Sequence, residues 1–309
     1  MTKFYFGEYI IIRMKKIIYM MLCLPFLLTA CNSFDKKPEL ATTFATFNLR
    51  LAPKPDSNMW QERNDSVGRL VLAHNFDIFG TQEGFKHQLD DIAKTTGFKY
   101  FGAARDDGKS AGEHSAIFYN PARFEVLDHG DFWFAETPDK PVKGWDAMCK
   151  RVCTWGKFRD KLTGAQLYFF SLHFDHIGKV ARAESAKLLL KKVREIAKGA
   201  PAVCVGDYNA LESDEPMKII LSDGLLLDSR KLSKTQPYGP SGTFHDFTGT
   251  PLFDRIDYIL TTKGIDILSY EVVSDKACCF DAKKRANPKA KIPEYPSDHF
   301  PVAVKAIVK

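Results

Sequence analysis

The 309-residue chain has no internal repeat, no low-complexity block and, after residue 41, no Pro-, Gly- or Ser-rich linker. One domain is therefore the economical reading of that stretch. A strong excess of one charge is missing as well. The formal net charge is +6, but four of the 44 basic residues (Lys3, Arg13, Lys15, Lys16) and one of the 38 acidic ones (Glu8) fall within residues 1–31, which leaves 40 against 37 for the remainder. A protein that grips long nucleic acid presents a basic face, so that partner is not favoured. The N-terminal apolar run, Ile17 to Leu28, has twelve residues, whereas a spanning helix needs about 20. Cysteine is scarce, and neither the pair Cys149 and Cys153 nor the pair Cys278 and Cys279 has the spacing of a zinc finger. What is present, 45% hydrophobic and 27% charged residues, is the composition of a globular chain with a sizeable core and excludes a collagen-like or disordered one.

The N-terminus carries the first positive signal. Met14-Lys15-Lys16, the apolar run and Leu28-Thr29-Ala30-Cys31 have the order of a secretory signal, a basic region followed by an apolar one and small residues. Met14 is a better start for it than Met1. Leu-Thr-Ala-Cys resembles the bacterial lipobox, and the resemblance implies cleavage before Cys31 and acylation of that cysteine. Several acyl chains anchor a protein stably where one does not. An ordinary signal peptide with a chance cysteine is the alternative. Residues 1–31 are thus expected to be a lipoprotein signal peptide and 32–41 a polar tether. The chain is expected in the cell envelope, on the periplasmic side or the cell surface, held to the membrane through acylated Cys31, and as a monomer. Export implies an oxidising compartment, so Cys149, Cys153, Cys278 and Cys279 become disulfide candidates without a deducible connectivity. Cys204 lies in the apolar run Ala202-Val203-Cys204-Val205 and reads as a buried thiol.

From residue 42 on, short β-type runs recur: 43–49, 77–82, 115–119, 152–158, 166–173, 202–206, 255–260 and 300–308. Several are apolar on both faces, as strands inside a layered structure are. Helical spacing falls between them. Residues 60–74 place Val67, Leu70, Val71 and His74 on one face, and residues 178–198 do the same with Ala181, Ala186, Leu189, Val193 and Ile196. Interleaved strands and helices predict an α/β domain of packed layers.

The polar residues mark where these strands stop. The apolar runs end in, or lead into, Asn48, Glu83, His173, Asp207 with Asn209, Asp257, and Asp298 with His299. An apolar strand ending in a carboxylate or imidazole is costly unless that group meets a metal, a partner or a ligand. If the strands share a sheet, the tips converge. Asn, Asp and Glu oxygens suit Mg²⁺ bound together with substrate phosphate, and two histidines beside such an ion can stabilise or protonate a phosphoryl centre.

The segments Thr46-Phe47-Asn48, Gln82-Glu83, Ser171-Leu172-His173, Gly206-Asp207-Tyr208-Asn209-Ala210, Arg255-Ile256-Asp257-Tyr258 and Ser297-Asp298-His299 are, in order and spacing, similar to the endonuclease/exonuclease/phosphatase superfamily, the deoxyribonuclease-I-like fold. The resemblance covers about residues 42–309. GDYNA and SDHFP are its specific motifs; Gln-Glu alone is weak. It implies a four-layer α/β/β/α sandwich: two packed mixed β-sheets with helices outside. It also implies Glu83 as principal Mg²⁺ ligand (Mn²⁺ being the alternative ion) with Asn48 and Asp298 nearby. Asp207 would position or deprotonate the attacking water and Asn209 would orient the water or the phosphate. His299, oriented by Asp257 or alternatively by Asp254, would contact the phosphate; His173 would stabilise the pentacovalent centre and Tyr119 touch the phosphate. Asp207 and His299 both remain open as the base. His173 to Arg182, reading H-F-D-H-I-G-K-V-A-R, and the loop from Arg105 through Glu113 resemble an exported bacterial subset. They add Arg105, Glu113 and His176 as substrate contacts. Trp145 and Arg151, in the loop before 152–158, are read either as closing over a ligand or as rim packing, and the basic run 283–291 as a solvated loop in preference to a phosphate-attracting one.

The expected function is a metal-dependent phosphoesterase acting by in-line water attack on a phosphorylated small molecule or lipid head group: a sugar, inositol or lipid phosphate. An exported nuclease is the second reading, and a non-catalytic phosphate- or glycan-binding lipoprotein the third.

Overall fold

A computed structural model of the chain describes residues 40–276 and 293–309. Cys31, most of the 32–41 tether, Cys278, Cys279 and the basic run 283–291 lie outside the described residues. Among the described residues, twelve strands fall into two sheets of six. In the first are β1 (Thr42–Asn48), β2 (Ile78–Gln82), β3 (Lys99–Phe101), β4 (Ile117–Tyr119), β11 (Ile265–Val272) and β12 (Val302–Val308), in the order β11-β12-β1-β2-β4-β3. The second orders β5 (Phe124–Trp133), β6 (Val152–Asp160), β7 (Gln166–His173), β8 (Ala202–Asp207), β10 (Asp257–Thr261) and β9 (Leu227–Asp228) as β5-β6-β7-β8-β10-β9. Both sheets are mixed, as expected: β1–β2 and β7–β8 are parallel and their neighbours antiparallel.

Strand alternation explains the layers. Along β1, Phe44 enters a core shared with Phe169 of β7 and Val203 and Val205 of β8, while Ala45 and Phe47 face the other way. That first core lies between the sheets. On the outer side of sheet one, helices α1 (Trp60–Ala73) and α2 (Lys86–Thr96) cover Phe47, Phe79 and Phe118 with Trp60, Val67, Leu70, Leu89 and Ile92. On the outer side of sheet two, α3 (Lys179–Ala197) and α4 (Glu215–Asp223) cover Phe170, Leu172, Cys204 and Tyr258 with Ala186, Leu189, Val193, Met217 and Ile220. The result is α/β/β/α. Each phenylalanine buried this way contributes about 1.5–3 kcal/mol relative to exposure, and because the central strands are buried on both faces, they are the apolar runs visible in the sequence.

The periodicity read α1 and α3 to within a residue or two. It missed β3, β5, β9 and β11, the four edge strands, where one side is unpaired and, in β5, polar residues such as Asp128, His129 and Asp131 interrupt the pattern. Cys149, Cys153 and Cys204 are free thiols, the last two buried. The expectation of disulfides at Cys149 and Cys153 is therefore corrected: both thiols are free, and Cys153 is buried in the apolar core under α3. No helix among the described residues is long and apolar enough to cross a membrane.

Candidate active site

Strand register delivers the polar tips to one rim of the inter-sheet space. Asn48 stands beside Gln82 at the ends of parallel β1 and β2, His173 stands beside Asp207 at the ends of parallel β7 and β8, and Asp257, opening β10, lies opposite Asp207. Asn48, His173, Asp207 and Asp257 share strand parity with Phe44, Phe169, Val205 and Ile259, all in the inter-sheet core, so their side chains face inward at its mouth. A cleft of about 390 Å³ opens there, lined by Glu83, Arg105, Glu113, His173, His176, Asp207, Asn209, Asp298 and His299, with Arg50, Arg151, Phe244 and Phe253 among the other lining residues. Asn48 and Asp257 lie beneath it, buried. Every expected site residue except Tyr119 among the described ones is thus in or directly under a single pocket.

Asp207 is the hub. Its Oδ1 accepts from the backbone N–H of Asn209 at 2.8 Å, and its Oδ2 accepts from Asn48 Nδ2 at 3.1 Å. The same Oδ2 lies 3.6 Å from His173 Nε2 and 3.9 Å from His299 Nε2. Burial, reinforced by the charge of Asp257, pushes its pKa well above the usual carboxylate range. His299 rests its Nδ1 on Asp257 Oδ2 at 2.9 Å. Burial works against the imidazolium, but the Asp257 charge and hydrogen bond outweigh it and lift the ring to about 10. Thr243 Oγ1 in turn accepts from the backbone N–H groups of Ile256 (3.1 Å) and Asp257 (3.2 Å), which fixes the strand that carries the carboxylate.

His173 differs from its expected role in one respect. Asn209 Nδ2 donates to Phe174 O and lies 3.0 Å from His173 Nε2. An amide NH₂ has only hydrogens to offer, so Nε2 accepts and the ring is neutral with its proton on Nδ1. Burial and the charges of Arg151 and Arg105 hold its pKa far below the usual histidine value. In this arrangement His173 anchors Asn209 and leaves Asn209 Oδ1 to accept from water.

Glu83 follows β2 with φ +64°, and Asn209 has φ +46°, a left-handed backbone that costs a non-glycine residue on the order of 1 kcal/mol or more. At Glu83 the conformation is held by Leu51 N donating to Oε2 (2.7 Å) and Asn48 Nδ2 donating to Oε1 (3.2 Å). His114 braces the next residue, with its ring Nδ1 3.0 Å from Gly84 O. Asp298 pairs with Arg50 across 3.3 Å, and burial raises its pKa. The donor set fits a divalent cation: Glu83, Asp298 and Asp207 offer carboxylate oxygens, the two buried ones resist ionisation without a positive partner, and Asn48 Oδ1 keeps a lone pair beyond its bond from Arg50 N at 3.0 Å. Among the described residues, Asp207, Asp257 and His299 also bring ligand atoms within 4.8 Å of one another, but His299 Nδ1 and Asp257 already bind each other there.

The cleft's flank is cationic. Arg105 NH1 meets Glu113 Oε2 at 2.6 Å, and Glu113 is raised to about 7 by burial, against the pull of Arg105. Two expectations need correction. Tyr119 pairs with Ile78, at the start of β2 rather than its end. Because β4 runs antiparallel to β2, Tyr119 is carried to the far end of the sheet, where it packs edge-on against Phe158. Asp254 is exposed and is not the His299 partner. Sequence reasoning missed Arg63, which is buried and donates to the carbonyls of Leu49, Arg50, Asn58 and Pro296, tying the end of β1 to the Asp298 segment. Its signal was present: Arg63 shares the helical face of Val67, Leu70 and Val71. Phe244, 5.0 Å from the His299 ring and stacked on Phe253, left no signal, since loop aromatics have no period.

The family model described as "Endonuclease/Exonuclease/phosphatase family" matches residues 45–299. Among solved structures, an endonuclease/exonuclease/phosphatase family protein from Bacteroides thetaiotaomicron is 41% identical, with 87% of this chain and 98% of that one covered at TM-score 0.79. A mannosyl-6-phosphatase of Bacteroides thetaiotaomicron is 41% identical over 86% of this chain and 99% of its own, at TM-score 0.78. An endonuclease/exonuclease/phosphatase from Bacteroides vulgatus is 34% identical over 87% and 100%, at TM-score 0.77. Among curated proteins, an uncharacterized protein of Acanthamoeba polyphaga mimivirus is 27% identical over 160 residues, which span 48% of this chain and 59% of that protein.

Proposed function

Because this chain belongs to the endonuclease/exonuclease/phosphatase family, we propose that it is a Mg²⁺-dependent phosphoesterase that hydrolyses a small phosphate ester, with a sugar phosphate foremost. The observation that carries the reading is the convergence of Asp207 with His299 on its Asp257 support, 3.9 Å apart, in a cleft of about 390 Å³. That volume accommodates a ligand the size of a hexose phosphate. The mannosyl-6-phosphatase at 41% identity supports the same substrate class, and the near-balanced charge after residue 31 weighs against a nuclease.

Glu83 with Asn48 and Asp298 would hold the cation, which when bound supplies Lewis-acid polarisation of a phosphoryl oxygen. The chain's own groups do the rest. Asp207, buried and with a raised pKa, is suited to take a proton from a water in line with the leaving group. Asn209 Oδ1, fixed because Nδ2 is tied to His173 and Phe174, orients that water. His299, charged and steadied at Nδ1, donates from Nε2 to a non-bridging oxygen as negative charge grows. Arg50 and Arg105 counter the dianion of a phosphomonoester. Lipid anchoring at Cys31 and a cell-envelope location complete the proposal, supported by the sequence of residues 14–31 alone. The test is a panel of sugar phosphates, inositol phosphates, bis-p-nitrophenyl phosphate, sphingomyelin and DNA, assayed with Mg²⁺ and with EDTA. Glu83→Ala and His299→Ala should each remove nearly all turnover. Wild-type rates in both variants, or DNA as the preferred substrate, would refute the assignment.

A further inference from the structure

The segment after β7 supplies more than His173. Asp175 is 1% exposed and accepts four backbone N–H bonds, from Met148 (3.1 Å), Cys149 (3.1 Å), Ile177 (3.0 Å) and Gly178 (2.8 Å). These bonds overcome burial and keep its carboxylate well below the usual range. Charged Asp175 then holds Arg151 Nε at 3.3 Å. Arg151, itself 4% exposed, places NH2 2.9 Å from His176 Nδ1. A guanidinium nitrogen can only donate, so His176 Nδ1 must carry a lone pair and the ring proton sits on Nε2. Arg151 and His176 both line the cleft, and His176 is exposed at its mouth.

We propose that Arg151 is a positioning residue that locks His176 as the neutral Nε2–H tautomer, so that His176 donates a hydrogen bond to a hydroxyl on the alcohol part of the substrate. The inference rests on the phosphoesterase reading and deepens it. The charged groups acting on His176 agree with the locked state. Besides partial burial, Arg151 and Arg105 oppose protonation, and only Asp175 and Glu83 favour it. A neutral donor at the mouth discriminates little between anions, which His299 and the arginines already attract. It does distinguish an alcohol with a hydroxyl in reach from one without, because a donor left unpaired on binding costs on the order of ten-fold in affinity. The substrate class this selects is a polyol or sugar phosphomonoester rather than a simple alkyl or aryl phosphate.

Three measurements on the full chain test it. Nitrogen-15 NMR of the wild type should show neutral His176 protonated at Nε2 and bare at Nδ1; in Arg151→Met the Nδ1–H tautomer should become populated. Titration with mannose 6-phosphate should shift the His176 Nε2 resonance, a readout that needs no turnover. In kinetics, His176→Ala should lower the preference for mannose 6-phosphate over p-nitrophenyl phosphate by about ten-fold, mainly through KM. Arg151→Met should do the same, and the double variant should be no worse than either. Should Arg151→Met fail to fold, Arg151→Lys replaces it: an ammonium keeps the charge against Asp175 but cannot span both Asp175 and His176. A proton on Nδ1, an unmoved Nε2 resonance, or penalties that multiply in the double variant would overturn the proposal. Absence of any phosphoester turnover with the NMR results intact would instead refute the phosphoesterase reading.

Discussion

Asp257 Oδ2 lies 2.9 Å from His299 Nδ1, although 42 residues separate the two in sequence. The bond sets both the charge of the ring and the direction of Nε2, toward Asp207. Asp257→Asn keeps the shape and removes the charge. We expect kcat to fall about 10²- to 10⁴-fold, with the circular dichroism spectrum unchanged. A kcat within three-fold of wild type would mean that His299 does not work through Asp257.

Carboxylates gathered around Glu83 predict stabilisation by the ion. Mg²⁺ that binds only the folded state stabilises by about 2.7 kcal/mol at one hundred times its Kd, or about 5–10 °C in Tm for a domain of this size. Glu83→Gln should abolish most of that shift and EDTA should reverse it in the wild type. An equal shift in both proteins would place the cation elsewhere.

His245 gives stability a pH dependence of definite sign. Its ring is stacked on Phe300 with centroids 3.9 Å apart, and Nδ1 accepts from Gly249 N. Burial first, and the His299 charge second, lower its pKa to about 4. The unfolded chain binds the proton more tightly, so this contribution is complete above pH 6.5 and is lost as pH falls toward 4. Between pH 7 and pH 5 it amounts to about 2 kcal/mol. In denaturant titrations, His245→Gln should lose less stability over that interval than the wild type does. Parallel curves would assign the acid sensitivity to other groups.

Tyr119 supplies a control. It packs on Phe101 and Phe158 at the far end of the sheet, so Tyr119→Phe should leave kcat/KM within two-fold. A ten-fold loss would show that the rim as described does not contain the whole site.

Legibility in the sequence followed burial. Strands β1, β2, β7 and β8 are interior on both faces, so their apolar runs and polar ends stood out, and with them Asn48, Glu83, His173 and Asp207. Tyr119 misled for a related reason. An aromatic residue at a strand end looks the same whichever end of the sheet it occupies, and only the antiparallel pairing of β4 with β2 decides which. Arg63 was readable as a charge on an apolar helical face, but its work, donating to four carbonyls, involves residues up to 233 positions away.

The linear order of residues by itself determined the kinds of groups available: oxygen ligands, two strand-end imidazoles, an α/β alternation and a family resemblance carried by GDYNA and SDHFP. Local periodicity and motif spacing are properties of the chain and survive without coordinates. The tertiary structure decided the protonation of the site's three imidazoles: His173 and His176 are neutral with opposite tautomers, and His299 is charged. His173 Nε2 and His176 Nδ1 accept, and His299 Nδ1 rests on a carboxylate, because partners brought from distant segments, Asn209, Arg151 and Asp257, leave each ring only one way to complete its hydrogen bonds.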